Sequence, residues 1–434
     1  MRALSLSVAL ILLAASAAFG QNYQAGDRVM VIADAKLMAD GRGATDKVFL
    51  GLFLNVQEVN DKWLWVENGR PGWLDQQYVI PAADALEYLT KRNSEEKNNQ
   101  KIMVALSFLH EERRDYDAAI SLCDDLIQLN PREGAYFNTR GNCWDAKGEH
   151  DNAIADYDQA IRLAPTKAIN FNNRGRSWSK KGDDDKAIAD YDQALKLDPK
   201  YATAYRNRGI AWKNKNNNDK AIADFEQYVK LDTKDSSVYS SLGWARINKR
   251  DYDQAIANFN QAIAINPKSA YAYNGRGIAW DQKKEFDKAV ADYNKAIQFD
   301  PNYAIAYSNR AMIWEMKRDY AKAIVDYEQA IRCNPNSATE RNSLAWLLAT
   351  CPDPIYRDGL QAISNAMKAL ETTAGKDPVV MDTLAAGFAE VGDFASAIKW
   401  QTKACDLAPV AEKAGYQSRL DLYKSGKPYR ETVD

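Results

Sequence analysis

Five segments of this chain restate one phrase. They are "FNTRGNCW" from Phe137, "FNNRGRSW" from Phe171, "YRNRGIAW" from Tyr205, "YNGRGIAW" from Tyr273 and "YSNRAMIW" from Tyr307, with starts separated by 34 residues or a multiple of it. A period of that length limits the fold more than any composition does. Each copy is one supersecondary unit that cannot bury its apolar face alone, so copies must stack.

With the unit 168–201 numbered from 1, Phe171 is position 4, Arg174 is 7, Gly175 is 8 and Trp178 is 11. Ala187 is 20, Tyr191 is 24, Ala194 is 27 and Pro199 is 32. At 100° per residue, positions 4, 7, 8 and 11 share one helix face, and 20, 24 and 27 share a face of a second helix. Small residues at 8, 20 and 27 let two helix backbones approach, and the aromatics fill the remaining space. Proline at 32 ends the second helix, and turns such as Gly182-Asp183 or Arg318-Asp319 separate the pair.

This pattern resembles the tetratricopeptide repeat (TPR), a helix–turn–helix of 34 residues, matched at 8, 20, 24, 27 and 32 in most units. Thr233 replaces the proline in one unit. Seven regular units span 100–337, starting at 100, 134, 168, 202, 236, 270 and 304. A distorted unit occupies 338–377, with a longer loop at "ATCPDPIYRDG", and a last unit runs 378–411. A capping helix and tail are expected over 412–434. The resemblance implies a mainly α protein, an α-solenoid of about nine helical hairpins. It also implies peptide binding on a concave face lined by the first helices.

The family usually has Leu at position 7, but here Arg140, Arg174, Arg208, Arg276 and Arg310 occupy it. Those same units carry Asp156, Asp190, Asp224, Asp292 and Asp326 at position 23. Where position 7 is Leu242, position 23 is Asn258, and Leu106 goes with Leu122. The charges appear and vanish together, on the face that packs. Structural ion pairs between the two helices, within a unit or across a unit boundary, therefore fit better than a basic stripe for RNA or phosphate.

Residues 23–80 do not repeat. "DRVMVIA", "GLFLNVQEVN", "KWLWVEN" and "RPGWLD" are short β-rich runs broken by turn residues. This segment resembles a small all-β bacterial SH3-like barrel, including the late Gly72-Trp73 and Tyr78-Val79. Such domains are implied to bind peptides or cell-wall material, with Trp63, Trp65 and Tyr78 as the candidate surface. Residues 81–99 form a helix-prone connector. Residues 1–20 read as a secretory signal, with Arg2, the apolar "LSVALILLAAS" and Ala18-Phe19-Gly20 before Gln21. That apolar run is short for a bilayer span and no other long one follows, so an exported protein, periplasmic, in the cell envelope or secreted, is expected.

Lys+Arg is 57 and Asp+Glu is 59, so no single-sign field steers the whole chain to nucleic acid. His110 and His150 sit in different units, and the five cysteines show no CxxC pair. Cys333 and Cys351 are candidates for a bridge. No nucleophile motif, phosphate loop or zinc spacing occurs, so no catalytic, metal or cofactor residues are assigned. The reading is a non-enzymatic scaffold for protein or peptide partners. The alternative is a peptidoglycan or carbohydrate binder acting through the SH3-like domain.

Groove positions 2, 5, 9, 12 and 13 point away from the packing face. Position 9 reads Asn142, Arg176, Ile210, Trp244, Ile278 and Met312. Lys180, Arg206 and Lys213 flank its early part, and Asp281 and Glu315 its late part. An extended peptide across 202–337, anchored at Trp244 with its acidic part towards the early units, is expected. The competing reading makes Trp244 core, because Arg246 stands where an aromatic is usual at position 11. Asn142 and Asn173 match part of the family's carboxylate-clamp pattern, but Asn138, Thr203 and Asn207 replace its cations. A chain-terminal carboxylate is therefore a poor ligand.

Overall fold

The computed structural model describes the backbone of residues 79–431 continuously, with side chains from 81 onward. Before that it describes 24–25 and strand backbones within 28–75, with side chains at 24–25, 28–31 and 57. Seven strands pair in one antiparallel sheet: β1 (Arg28–Val31), β2 (Ala35–Met38), β3 (Ala44–Val48), β4 (Phe53–Asn60), β5 (Trp63–Glu67), β6 (Gly72–Asp75) and β7 (Val79–Pro81). Their order is β3-β2-β6-β5-β4-β1-β7. Trp65 pairs with Trp73 and Met30 with both Phe53 and Ile80, and the register shifts between Val56 and Glu58. The side chains of Trp63 and Trp65, all of Tyr78, and the expected signal segment 1–20 lie outside the described residues.

Twenty α-helices follow among the described residues, and the chain forms two compact units that divide between Lys215 and Asn216. In the first unit, α1 (Ala85–Glu95) fills the connector. Then come α2 (Gln100–Glu112), α3 (Tyr116–Leu129), α4 (Gly134–Lys147), α5 (His150–Leu163), α6 (Ala168–Lys180), α7 (Asp184–Leu197) and α8 (Ala202–Asn214). Met30 of β1 is buried with Ala85 and Leu89 of α1 and with Ile102, Ala105, Leu106 and Leu109 of α2. That shared core ties the sheet to the first hairpin.

The second unit begins with α9 (Asn218–Leu231), α10 (Ser236–Asn248), α11 (Tyr252–Ile265), α12 (Ala270–Gln282) and α13 (Phe286–Phe299). It continues with α14 (Ala304–Met316), α15 (Tyr320–Cys333), α16 (Ala338–Thr350), α17 (Gly359–Thr372), α18 (Pro378–Glu390), α19 (Phe394–Leu407) and α20 (Lys413–Lys424). A 3-10 turn, Pro354–Tyr356, lies in the long loop between α16 and α17. There Arg357 donates to the Cys351 and Pro352 carbonyls and to Glu390.

The packing rule within a hairpin is simple. The ring at position 24 lies flat against the small residue at position 8: a Cβ placed on Gly175 would come within 2.8 Å of Tyr191 Cε1, and one on Gly277 within 2.6 Å of Tyr293 Cε1. Tyr157, Tyr191, Phe225, Phe259, Tyr293 and Tyr327 are buried, as are the position-20 alanines from Ala153 to Ala323. Each such ring contributes about 2–3 kcal/mol by leaving water.

The turn between the helices needs a left-handed residue at position 15. Gly148 and Gly182 supply it at φ 85° and 83°, while Asn216, Arg250, Lys284 and Arg318 adopt φ 57–62°. The next residue caps the second helix, as where Asp183 accepts from the Lys186 amide and Asp251 from the Gln254 amide. All five cysteines are free, so Cys333 and Cys351 form no bridge. Burial pushes the thiols of Cys123 and Cys143 up to about 12, as expected of small apolar core residues rather than nucleophiles.

Candidate functional site

In four units the position-7 arginine grips the position-23 aspartate of its own hairpin with two nitrogens. Arg140 Nε and Nη2 donate to Asp156 at 2.8 and 2.6 Å, and Arg174 does the same to Asp190 at 2.9 and 2.6 Å. Arg276 holds Asp292 at 2.8 and 2.6 Å, and Arg310 holds Asp326 at 2.8 and 2.7 Å. Arg208 belongs to the first unit and the buried Asp224 to the second.

The third nitrogen of each fork has a partner that spacing did not reveal. Nη1 reaches back to position 25 of the preceding hairpin: Asp124, Asp158 and Asp192 at 2.5 Å each, Asn260 at 2.6 Å, and Asn294. Each arginine therefore ties its own hairpin to the one before. In the unit where Leu242 replaces it, Arg246 at position 11 takes the longer Glu226 at 2.6 Å. An outer ladder repeats the theme, with Lys147 on Asp117, Lys181 on Asp151, Lys283 on Asp253 and Lys317 on Asp287. The acid or amide at position 25 was readable in every regular unit, but nothing in one sequence shows which helix it faces.

On the groove face the first unit is polar and already satisfied. Asn138 donates to Asn170 at 2.9 Å, Asn173 to Asn142 at 3.1 Å, Asn207 to Asn172 at 3.0 Å, and Tyr157 to Asn142 at 2.8 Å. Asn142 and Asn173 are thus committed to this amide network. Arg176 and Lys180 were expected as open groove cations, but both converge on Asp145 at 3.2 and 2.9 Å, with His150 Nδ1 and Ser177 Oγ each at 2.9 Å. Asp145 is 2% exposed. Burial pushes its carboxyl up, but hydrogen bonds from Lys180 and Ser177 and the charges of Arg176 and Lys180 outweigh that, and the net shift is downward. Arg206, Ile210 and Lys213 are half-buried.

The second unit presents a different face. Trp244 is half-buried, with its ring 5.9 Å from Phe259, edge to face, and 5.6 Å from Tyr271. It packs on the core of α11 and α12, so it fills the gap beside Arg246 and also borders the groove. Ile278 is half-buried against the next hairpin, while Met312 is 51% exposed. Tyr271, Ile305 and Met316 are exposed in the same way. Met312 and Met316 also line a cavity of about 740 Å³ that sequence reasoning missed. Its walls come from groove positions of three successive first helices: Met312, Glu315 and Met316 of α14, Trp346 of α16, and Asp382 of α18. Arg419 of α20 and Glu431 beyond it line the far side.

Family descriptions of the tetratricopeptide repeat match residues 104–168, 241–304 and 304–337, and a TPR repeat description matches 179–216. These segments are tetratricopeptide repeats. Among solved structures, MamA is 30% identical over 37% of this chain and 94% of its own, with a TM-score of 0.36. YrrB, described as a TPR protein with an unusual peptide-binding site, is 23% identical over 43% of this chain and 96% of its own, with a TM-score of 0.38. The C-terminal part of a TPR repeat-containing protein from Cytophaga hutchinsonii is 22% identical over 55% and 98%, with a TM-score of 0.47. A comparison with curated protein sequences found no match.

The cavity at the end of these TPR hairpins is chemically mixed. Arg419 donates to Asp382 at 2.7 Å and sits over the rings of Trp346, Tyr416 and Tyr429 at 5.5, 5.1 and 5.5 Å. Asp382, 4% exposed, also accepts from Gln401 Nε2 at 2.7 Å. Glu315 accepts from Tyr327 Oη, and no ion pair joins it among the described residues. Burial raises its carboxyl to about 7, helped by the Glu431 charge and opposed by the Tyr327 hydrogen bond. Apolar sulfurs, an aromatic wall and a weakly compensated acid are complementary to apolar groups and a cation. No group of three or more His, Cys, Asp or Glu side chains that could hold a metal occurs among the described residues.

Proposed function

We propose that this chain is an exported, non-enzymatic scaffold whose TPR groove binds extended peptide segments of partner proteins. The observation that carries the reading is the cavity of about 740 Å³, built from groove positions of α14, α16 and α18, with exposed Met312 and Met316 in its lining. Apolar side chains open to water in a walled cavity are costly unless a partner covers them. The balance of the face favours a segment whose cationic side chain is placed near the groove acids Glu315 and Glu390. Trp346 is taken as the anchor here because it lines the cavity, whereas Trp244 is not among the lining residues. No described helix is long and apolar enough to cross a membrane. Export rests on the pattern from Arg2 to Gly20.

Two experiments test the proposal. Peptides selected from a random library against the full chain should lose binding in Met312→Glu and in Trp346→Ala while circular dichroism stays unchanged. Binding that survives both substitutions refutes the groove. Mass spectrometry of the native protein should find a start near Gln21, and an intact Met1 on cytosolic protein refutes export.

A further inference from the structure

Beyond α20 the chain does not stop at the cap. Gly426, at φ 72°, turns it, and residues 427–431 run without regular structure back onto the groove side of α16 and α18. Tyr429 stacks at 5.7 Å on Trp346, the position-9 residue of its repeat, with Arg419 5.5 Å from the Tyr429 ring. Arg430 pairs with Glu390 and donates to the Ala349 carbonyl at 3.4 Å. The Glu431 amide donates to the Thr350 carbonyl at 3.0 Å, and Trp346 Nε1 donates to the Glu431 carboxylate at 2.6 Å. Residues 428–431 are all half-buried, and their contacts use side chains together with carbonyls left free at the end of α16. This is how a separate extended peptide would be held.

We infer that residues 427–431 act as a built-in ligand of the TPR groove, covering Trp346 until a partner segment with the same chemistry displaces them. That chemistry is an aromatic residue followed by an arginine and then an acidic residue, outside any helix or strand. The inference rests on the groove reading and adds to it what the partner looks like and what holds the site closed. The aromatic supplies the ring on Trp346, the arginine takes Glu390, and the acid takes the indole N–H and the end of α16. The segment has one backbone hydrogen bond to α16 and no helix or sheet ladder of its own, and Tyr429 packs on the edge of the core of Ala385, Ala389, Ala397 and Tyr423, so its release exposes that edge and leaves the backbone hydrogen bonds of the hairpins in place.

The test uses a fluorescein-labelled peptide, GKPYRETVD, copied from residues 426–434. Fluorescence anisotropy is measured with the full chain and with Tyr429→Ala/Arg430→Ala/Glu431→Ala in the full chain. The variant should bind the peptide at least about tenfold more tightly, because its site is no longer occupied from within. A peptide with the same three alanines should bind neither protein. Equal affinity for the two proteins, or no binding to the variant, overturns the inference. A second readout needs no variant: excess peptide added to the unaltered chain should speed hydrogen exchange at the Glu431 amide and leave α16 and α18 protected, and an unchanged Glu431 amide overturns it too. Library-selected peptides that bind through Trp346 while GKPYRETVD neither binds nor competes would sink this inference and leave the groove reading standing. Failure of both peptide classes would sink both.

Discussion

Asp190→Ala is the most direct test of what the arginines do. Asp190 is 6% exposed and accepts two charge-assisted hydrogen bonds from Arg174. Removing one partner of a fully buried pair costs roughly 3–5 kcal/mol, mostly because a charge is stranded. Here the stranded charge has relief: the Arg174 side chain is 23% exposed and still holds Asp158 at 2.5 Å. The expected loss is therefore smaller, about 2 kcal/mol. Replacing both residues, Arg174→Leu with Asp190→Leu, should cost less than about 1 kcal/mol. The chain itself performs that exchange at Leu106 and Leu122, which pack in the core of the first hairpins. Stacked repeats can open locally, so urea unfolding followed by circular dichroism should be joined by hydrogen exchange over α6 and α7. A double variant as unstable as Asp190→Ala would show that the site does not tolerate an apolar substitute, and a single variant with no loss would show that Arg174 does not need its partner.

Three further outcomes are expected. Glu315 is held up to about 7 against an ordinary 4.5, so the folded chain binds the proton more tightly than the unfolded one; thermal stability should fall as pH rises from about 5 to 7, and Glu315→Gln should flatten that slope in a calorimetric scan. Lys284 occupies a left-handed turn at φ 62°, so Lys284→Gly should raise the denaturant midpoint by roughly 1 kcal/mol equivalent, whereas the same change at a right-handed position such as Lys288 should lower it. Trp244→Ala should cost about 3 kcal/mol through lost packing on Phe259 and Tyr271, and peptide binding on the folded fraction should persist; binding lost at an unchanged melting point would restore Trp244 as the anchor.

The helices were legible because a 34-residue period with fixed small, aromatic and proline positions leaves one stacking solution. Position 7 and position 23 could be linked because charge came and went together in both places. Position 25 could not, because Asp, Glu and Asn all serve there and the partner lies in another hairpin. The groove cations misled for a similar reason. Helical spacing places Arg176 and Lys180 on an open face, but Asp145, 31 and 35 residues earlier, reaches across the hairpin boundary to claim both. The cavity needed α20 and residues 427–431, which follow no repeat. The contact of Trp346 with Glu431 spans 85 residues, a separation over which periodicity says nothing.

The arginine forks also carry an arithmetic. Arg140, Arg174 and Arg208 each reach 16 residues back, and the first two also reach 16 residues forward. Excising 168–201 would bring Arg208 to Asp158, an aspartate in the same place as the Asp192 it lost, so the junction would close without a new side chain being required. A cut that is not a whole number of copies would set the fork at the junction out of step with its acid, while forks lying wholly to either side keep theirs. Such a chain can grow or shrink by whole copies and by nothing smaller, and the rule extends to 236–269: Glu226, which Arg246 takes there, stands 16 residues before Leu242, so an arginine unit set in that place would meet an acid at the usual distance.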